Sequence, residues 1–225
     1  MVKTPADWPA TRLQFPPFDL TDLAKDFQQE LFARYSEPKR AYHTLRHITE
    51  GFMEYGDLIR LNLIEDPQAF GYAWWCHDAV YVIDSDPAYA PQNELWSADF
   101  AEEWLKRFGA APEFIARVRG HILATKHNQF PEDLDAQLLV DVDLSILGKS
   151  RMRFDEYERQ IRQEYSYVLR EQYIEGRTRV LKGFLPPHRE HIYFTEYFRA
   201  KYEAQARENL AYSLAKLACG ELAEV

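Results

Sequence analysis

The sequence predicts an all-α fold, and three observations support this class. The 225 residues are 46% hydrophobic and 28% charged, a composition that suits one globular domain. Long segments repeat apolar residues every three or four positions, as amphipathic helices do, and only nine residues are glycine. No two segments show the alternation of apolar and polar residues that paired strands would show. We therefore expect a single all-α domain over residues 19–225.

The first 18 residues form a separate region, because proline interrupts them repeatedly. Prolines and aromatic residues are interspersed there: Pro5, Trp8, Pro9, Phe15, Pro16, Pro17 and Phe18. We expect residues 1–18 to form an extended arm whose aromatic side chains hold it against the domain, or else a frayed terminus.

The first three helices follow from apolar spacing. Residues 20–35 repeat leucine and phenylalanine at three- and four-residue intervals, and Pro38 ends this helix because proline lacks a backbone donor. Residues 43–63 carry an apolar face of isoleucine, phenylalanine and tyrosine. Residues 67–77 are apolar on nearly every face, so we expect this third helix to be buried.

The remaining helices are marked by proline or by charge. Three of them begin at a proline, which suits the first turn of a helix: 91–108, 112–125 and 131–147. A loop rich in aspartate and proline, residues 82–90, precedes the first of these. The last third of the chain is a charged C-terminal extension with helices at 153–168, 171–184 and 193–218. Their amphipathic faces either pack inward or form the interface of a homo-oligomer.

The charge and the apolar runs exclude some classes of function. The chain has 27 basic and 36 acidic residues, and a net charge of −9 repels a phosphate backbone, so nucleic-acid binding is disfavoured. A small anionic substrate remains possible, since a metal ion or a few arginines reverse the field locally. The longest apolar run, residues 70–76, is far below the about 20 residues that span a bilayer. Without a membrane segment, a secretory signal or a disulfide framework, we expect a cytoplasmic protein.

Histidines and acids stand where the apolar pattern leaves them little water. His43 and His47 are four residues apart, so on a helix they would share one face. His77 and Asp78 follow the most apolar predicted helix, where burial of an unpaired histidine and aspartate is costly. A bound metal ion would offset that cost, because it needs a neutral imidazole and a desolvated carboxylate.

Two further acids interrupt the apolar pattern of the helix predicted at residues 131–147. Asp141 and Asp143 are two residues apart, so on a helix their side chains point about 200° away from each other. Only one of them is therefore expected to bind a metal. We expect the other to support that ligand from behind or to lie in solvent.

The ordered set His47, His77, Asp78 and Asp143 resembles the H…HD…D signature of the HD superfamily of metal-dependent phosphohydrolases. The likeness extends to a bacterial subgroup described as predicted metal-dependent HD phosphohydrolases, and it covers residues 20 to 212. The segments that carry it are 37–48, 75–81, 93–98, 123–127, 141–148, 161–165, 176–181 and 206–210. An HD dipeptide alone is a weak signal, whereas the ordered set is a strong one.

The resemblance implies an HD-domain helical bundle with a divalent metal ion among His47, His77, Asp78 and Asp143. The ion would be Mn, Mg, Fe, Ni or Zn, and in the superfamily it activates water for attack on phosphorus. Residues 42–47 also resemble the start of a helix in cyclic-nucleotide phosphodiesterases, where the first histidine protonates the leaving oxygen. That likeness makes His43 a candidate general acid, although Thr44 stands where those enzymes carry asparagine. A surface histidine bonded to a neighbour explains His43 equally well.

Four other residues are candidates for the same site. Glu94 opens a predicted helix and would orient the attacking water or meet a ribose, or it is simply an acid favoured by the helix dipole. Arg46 and Lys126 are close in sequence to the proposed ligands and suit phosphate oxygens. His127 would bind the substrate phosphate or a second metal, unless it is a surface histidine stabilised by a helix end.

We expect a metal-dependent phosphohydrolase that cleaves a phosphoester of a small molecule such as a nucleotide. One alternative is an HD-fold di-iron oxygenase, which needs at least six protein ligands and would recruit His43, His121, His127 and Glu94. The other alternative is a nucleotide- or metal-sensing module without turnover.

Overall fold

The computed structural model describes residues 22–83, 92–127 and 130–222, and these ranges contain nine α-helices and no strand. The expected all-α class is confirmed. The helices are α1 (Asp22–Tyr35), α2 (Leu45–Arg60), α3 (Pro67–Cys76), α4 (Asn93–Arg107), α5 (Pro112–Ala124), α6 (Leu134–Leu144), α7 (Arg151–Glu164), α8 (Arg170–Gly183) and α9 (Glu196–Ala218). A short 3-10 helix, Ser145–Gly148, continues α6. The predicted arm over residues 1–18, Pro91 and most of the loop predicted at 82–90 lie outside the described residues.

Capping side chains set the helix starts that the sequence pattern placed wrongly. The Thr44 hydroxyl accepts from the backbone of Arg46, so α2 begins at Leu45 and not at His43. The prediction that His43 and His47 share one helical face is therefore wrong. The Asp133 carboxylate likewise caps α6, which begins at Leu134 rather than at residue 131.

Helix α3 lies at the centre of the fold and contacts α2, α4, α5 and α6. Its expected burial is confirmed, because Phe70 and Trp74 have no exposed surface. The indole nitrogen of Trp74 donates to the carbonyl of Ile48 at 2.9 Å, and Gly51 leaves room for the ring. This packing fixes the end of α3, where His77 follows.

The last third of the chain packs against the first six helices. Helix α9 lies on the 3-10 helix and on α8. Asp141 on α6 accepts hydrogen bonds from the backbone of Phe194 and Thr195 at 2.7 and 2.8 Å, just before α9 begins. Asp141 is fully buried, which excludes the expectation that it lies in solvent. Both of its oxygens bind these backbone groups, so the expectation that it supports a metal ligand is also wrong. None of the helices in the described part of the chain has the length and apolar character needed to cross a bilayer.

Candidate metal centre

The four predicted metal ligands meet where α2, the end of α3 and α6 come together. His47 is on α2, His77 and Asp78 follow α3 directly, and Asp143 is the next-to-last residue of α6. The Nε2 atoms of His47 and His77 are 3.1 Å apart. Asp78 Oδ2 lies 3.0 Å from His77 Nε2, and Asp143 Oδ1 lies 3.3 Å from His47 Nε2. The helical bundle thus brings together side chains that are up to 96 residues apart in sequence.

The chemistry of this donor set fits a divalent ion. His77 Nδ1 donates to the carbonyl of Trp74 at 2.9 Å, so in the neutral form of the ring, which a metal ion requires, the lone pair is on Nε2, which faces the cluster. The Trp74 indole stacks on the same ring with centroids 4.4 Å apart, which fixes its orientation. Ligand atoms of His47, His77 and Asp78 all lie within 4.8 Å of one another. Two imidazole nitrogens and two carboxylates are ligands for ions such as Mn, Fe or Zn.

The local charges keep both carboxylates ionised. Burial works against ionisation of Asp78, but the nearby His77 and His43 hold its pKa well below the ordinary value. Burial also opposes ionisation of Asp143, and hydrogen bonds from His127, His47 and His77 hold its pKa well below that value. Both acids are therefore anionic at neutral pH and can act as ligands.

His43 lies beside this cluster, and a buried glutamate holds it. The Nδ1 atom of His43 donates to Glu164 Oε2 at 2.7 Å, and the ring centroids of His43 and His47 are 6.0 Å apart. The other oxygen of Glu164 accepts from the backbone N–H groups of Ala41, Tyr42 and His43 itself at 2.8–3.0 Å. These bonds orient the imidazole and leave Nε2 as the nitrogen that Glu164 does not bind.

Glu164 and Tyr81 are functional neighbours that sequence reasoning missed. Tyr81 stacks on His43 with ring centroids 3.8 Å apart. Glu164 ends α7, 121 residues after His43, and no local pattern joins the two positions. The sequence signals were that segment 75–81, which holds Tyr81, and segment 161–165, which holds Glu164, resemble the same subgroup.

His127 and Glu94 lie on another side of the cluster. His127 Nε2 donates to Asp143 Oδ2 at 2.9 Å, whereas His47 lies nearest the other oxygen, Oδ1. Glu94 is in the first turn of α4, and its Oε2 is buried without a hydrogen-bond partner. Burial raises the pKa of Glu94, the charge of Asp78 raises it further, and His127 and Lys126 lower it. The structure therefore places Glu94 in the electrostatic reach of the cluster, with the exposed Lys126 nearby.

The candidate Arg46, and Arg40 beside the cluster, both bind protein groups. The Arg46 guanidinium binds Glu50 and Glu156 on the surface. Arg40 is buried and donates to the carbonyls of Asp78 and Ala79 at 2.6 and 3.1 Å. Each nitrogen of its guanidinium already binds a protein oxygen, so Arg40 fixes the backbone around Asp78 and has no nitrogen left for a phosphate.

His121 is separate from the cluster. Its Nε2 donates to Asp133 at 3.0 Å, at the start of α6. Asp143 is ten residues further along, which is about 15 Å at 1.5 Å per residue. A di-iron centre would need further ligands beside the four. Two of the candidates for that role have other partners, because His43 binds Glu164 and His121 binds Asp133.

Comparison of the chain with protein-family models, with curated proteins and with solved structures gives no match. What the site does is therefore inferred from its own residues.

Proposed function

We propose that this chain is a cytoplasmic, HD-type metal-dependent phosphohydrolase that cleaves a phosphoester of a small molecule such as a nucleotide. One observation carries the proposal: His47, His77, Asp78 and Asp143 converge from three elements, with the two histidine Nε2 atoms 3.1 Å apart and an oxygen of each carboxylate 3.0–3.6 Å from both of them. Two imidazoles and two carboxylates gathered at this spacing are the ligand set of a divalent cation, and a bound cation would balance the charge of the two buried acids. This combination favours a metal site over a hydrogen-bonded core network.

The reaction chemistry is divided between the ion and the protein. A divalent ion held by the four ligands supplies a Lewis acid that lowers the pKa of water and neutralises charge on phosphoryl oxygens. His43 stands beside the cluster to protonate the leaving oxygen, and Glu164 holds its ring in place. Glu94 has a buried carboxylate oxygen without a partner, which can accept a hydrogen bond from the attacking water.

The net charge of the protein favours a small substrate over a polymer. The net charge of −9 repels a phosphate polymer, whereas one small molecule needs only the local field of the ion and its neighbours. We therefore expect a soluble phosphorylated metabolite and no nucleic-acid substrate.

The test is phosphate release from a panel of phosphomonoesters, nucleotides and cyclic nucleotides, with added Mn²⁺. We expect wild-type protein to hydrolyse at least one class and Asp78→Asn and Asp143→Asn to lose at least about 100-fold in rate. Glu175→Gln is the matched control, because Glu175 is an exposed acid that pairs only with Arg179 in this part of the chain. Metal-loaded, folded protein without activity on any class, or equal rates in all variants, would refute the proposal.

A further inference from the structure

A second group of polar side chains adjoins the metal centre near His127. Within the described residues, five buried side-chain atoms lack a hydrogen-bond partner: Glu94 Oε2, His121 Nδ1, His127 Nδ1, Arg177 Nε and Arg189 Nη1. Two of the five belong to residues that contact each other, His127 and Arg189, which donates to the carbonyl of His127. Buried polar atoms normally have partners, so this concentration indicates groups that bind a ligand.

Arg189 has the features of an anion-binding residue. Its Nη2 donates to the His127 carbonyl at 2.7 Å, while its buried Nη1 has no partner. The guanidinium carbon lies 5.3 Å from the ring centre of Phe184 and 5.5 Å from that of Phe194, so two aromatic rings hold the fork in place. No carboxylate of the described residues lies within ion-pair distance of it, and burial lowers the pKa of Arg189 by more than the charge of the more distant Asp141 raises it.

His127 connects this guanidinium to the metal centre. Its side chain donates to Asp143 Oδ2 and its carbonyl accepts from Arg189, so the two charged groups are one histidine residue apart. His127 has a φ of 57°, which is uncommon for a residue other than glycine. A ligand that reaches from the metal ligands to Arg189 therefore spans more than a single phosphoryl group.

We propose that Arg189 and His127 form a subsite for a second phosphate of the substrate, beyond the phosphoryl group that is cleaved at the metal centre. This inference rests on the proposed function, and it narrows the substrate class to small molecules with two phosphates, such as a nucleoside diphosphate. A rigid planar fork with a free terminal nitrogen suits phosphate oxygens. A doubly charged ligand also needs local positive charge in a chain whose net charge is −9.

The test is calorimetric titration of Mn²⁺-loaded protein with inorganic phosphate and, separately, with pyrophosphate. We expect wild-type protein to bind pyrophosphate at least tenfold more tightly than phosphate. Arg189→Gln should lose this preference with unchanged phosphate binding, and Arg189→Lys should keep part of it. Arg179→Gln, which removes an exposed arginine of α8, should behave as wild type.

A purely structural role for Arg189 predicts a different result. If the guanidinium only holds His127 in place, Arg189→Gln weakens phosphate and pyrophosphate binding equally, and the subsite is overturned. Melting temperatures of both Arg189 variants show whether they fold. If Arg189→Gln still hydrolyses substrate and still prefers pyrophosphate to phosphate as wild type does, the subsite is refuted and the proposed function is not. An Arg189-dependent preference in protein that hydrolyses nothing supports the subsite and refutes the proposed function.

Discussion

Asp141 and Asp143 show how two acids on one helix take different roles. Asp143 faces His47 and His127, whereas Asp141 accepts from two backbone N–H groups and from the Thr195 hydroxyl at 2.7–2.8 Å. Helical spacing predicted that the two side chains diverge. It did not predict the partner of Asp141, because Thr195 is 54 residues further along the chain. Asp141 therefore anchors the start of α9, and Asp143 belongs to the proposed metal centre.

Asp141→Asn should destabilise the fold without removing the metal. Whichever way the amide turns, its –NH₂ meets a backbone N–H of Phe194 or Thr195, so we expect a loss of about 1–3 kcal/mol in the free energy of unfolding. Urea unfolding at pH 7.5 measures the loss, and metal analysis of the same sample should match wild type. Loss of metal at unchanged stability would contradict this assignment.

Glu164→Gln should slow turnover without removing the metal. In the variant the amide oxygen can still accept the three backbone bonds, but its –NH₂ then faces His43 Nδ1, which must accept instead of donate, and the carboxylate charge beside the imidazole is lost. General acid catalysis contributes about 10²–10⁴-fold, and we expect a fall in kcat of at least about tenfold. The double variant with His43→Ala should be no slower than His43→Ala alone. Equal kcat values for Glu164→Gln and wild type would contradict the role of Glu164.

At the scale of elements, local sequence patterns predict which segments are helical but misplace the first residue of some helices. The burial of α3 follows from its apolar faces, and its position is as expected. The predicted starts of α2 and α6 are wrong because a capping side chain, Thr44 or Asp133, decides where each helix begins. Other residues nearby in the sequence also look like helix starts, so the pattern alone does not identify the cap. The pattern predicts Pro131 in the first turn of α6, whereas the helix begins three residues later, at Leu134.

Gly51→Ala should disrupt the packing of α2 on α3. A Cβ at Gly51 would lie 1.8 Å from a Trp74 ring carbon, and Trp74 in turn stacks on His77. We expect a loss of about 1–3 kcal/mol in the free energy of unfolding and weaker metal binding. Thermal unfolding and metal titration measure the two effects.

Gly56→Ala is the matched control on the same helix. No atom lies within 4 Å of a Cβ at Gly56, so this change should stabilise α2 by about 0.5–1 kcal/mol. If both alanine variants shifted stability in the same direction, the steric account of Gly51 would be wrong.

At the scale of the whole molecule, contacts between distant segments were beyond the reach of sequence patterns. Hydrophobic periodicity is read in windows of about 11–18 residues and identifies helices, not their partners. The order and chemistry of His47, His77, Asp78 and Asp143 allowed the cluster to be predicted through a family resemblance. The partners of that cluster and of the helices, such as Glu164 and Arg189, came only from the three-dimensional structure.

Glu54 makes one such long-range contact and should give the stability a pH dependence. It is buried on α2 and binds Lys149 after the 3-10 helix and Lys201 on α9. Burial would raise its pKa, but Lys149, Lys201 and Tyr202 outweigh burial and hold the pKa below the ordinary value of 4.5. A lowered pKa in the folded state means that the ionised carboxylate stabilises the fold above pH 4.5. This contribution is lost as the pH falls through the lowered value.

Urea unfolding of wild type and Glu54→Gln at a series of pH values tests this. We expect wild type to be more stable by about 1–3 kcal/mol at pH 7, with a difference that shrinks on acidification. Glu175→Gln, which alters an exposed pair, should differ little from wild type at any pH. A difference for Glu54→Gln that stays constant with pH would contradict the sign of the pKa shift.

The central claim is that His47, His77, Asp78 and Asp143 bind a divalent ion. The most direct test is the metal content of protein purified without chelators, measured by mass spectrometry for wild type, Asp143→Asn and Glu175→Gln. We expect at least about one divalent ion per chain in wild type and in Glu175→Gln, and almost none in Asp143→Asn. Folded wild-type protein that holds no divalent ion, even after incubation with Mn²⁺, Fe²⁺ and Zn²⁺, would contradict the claim.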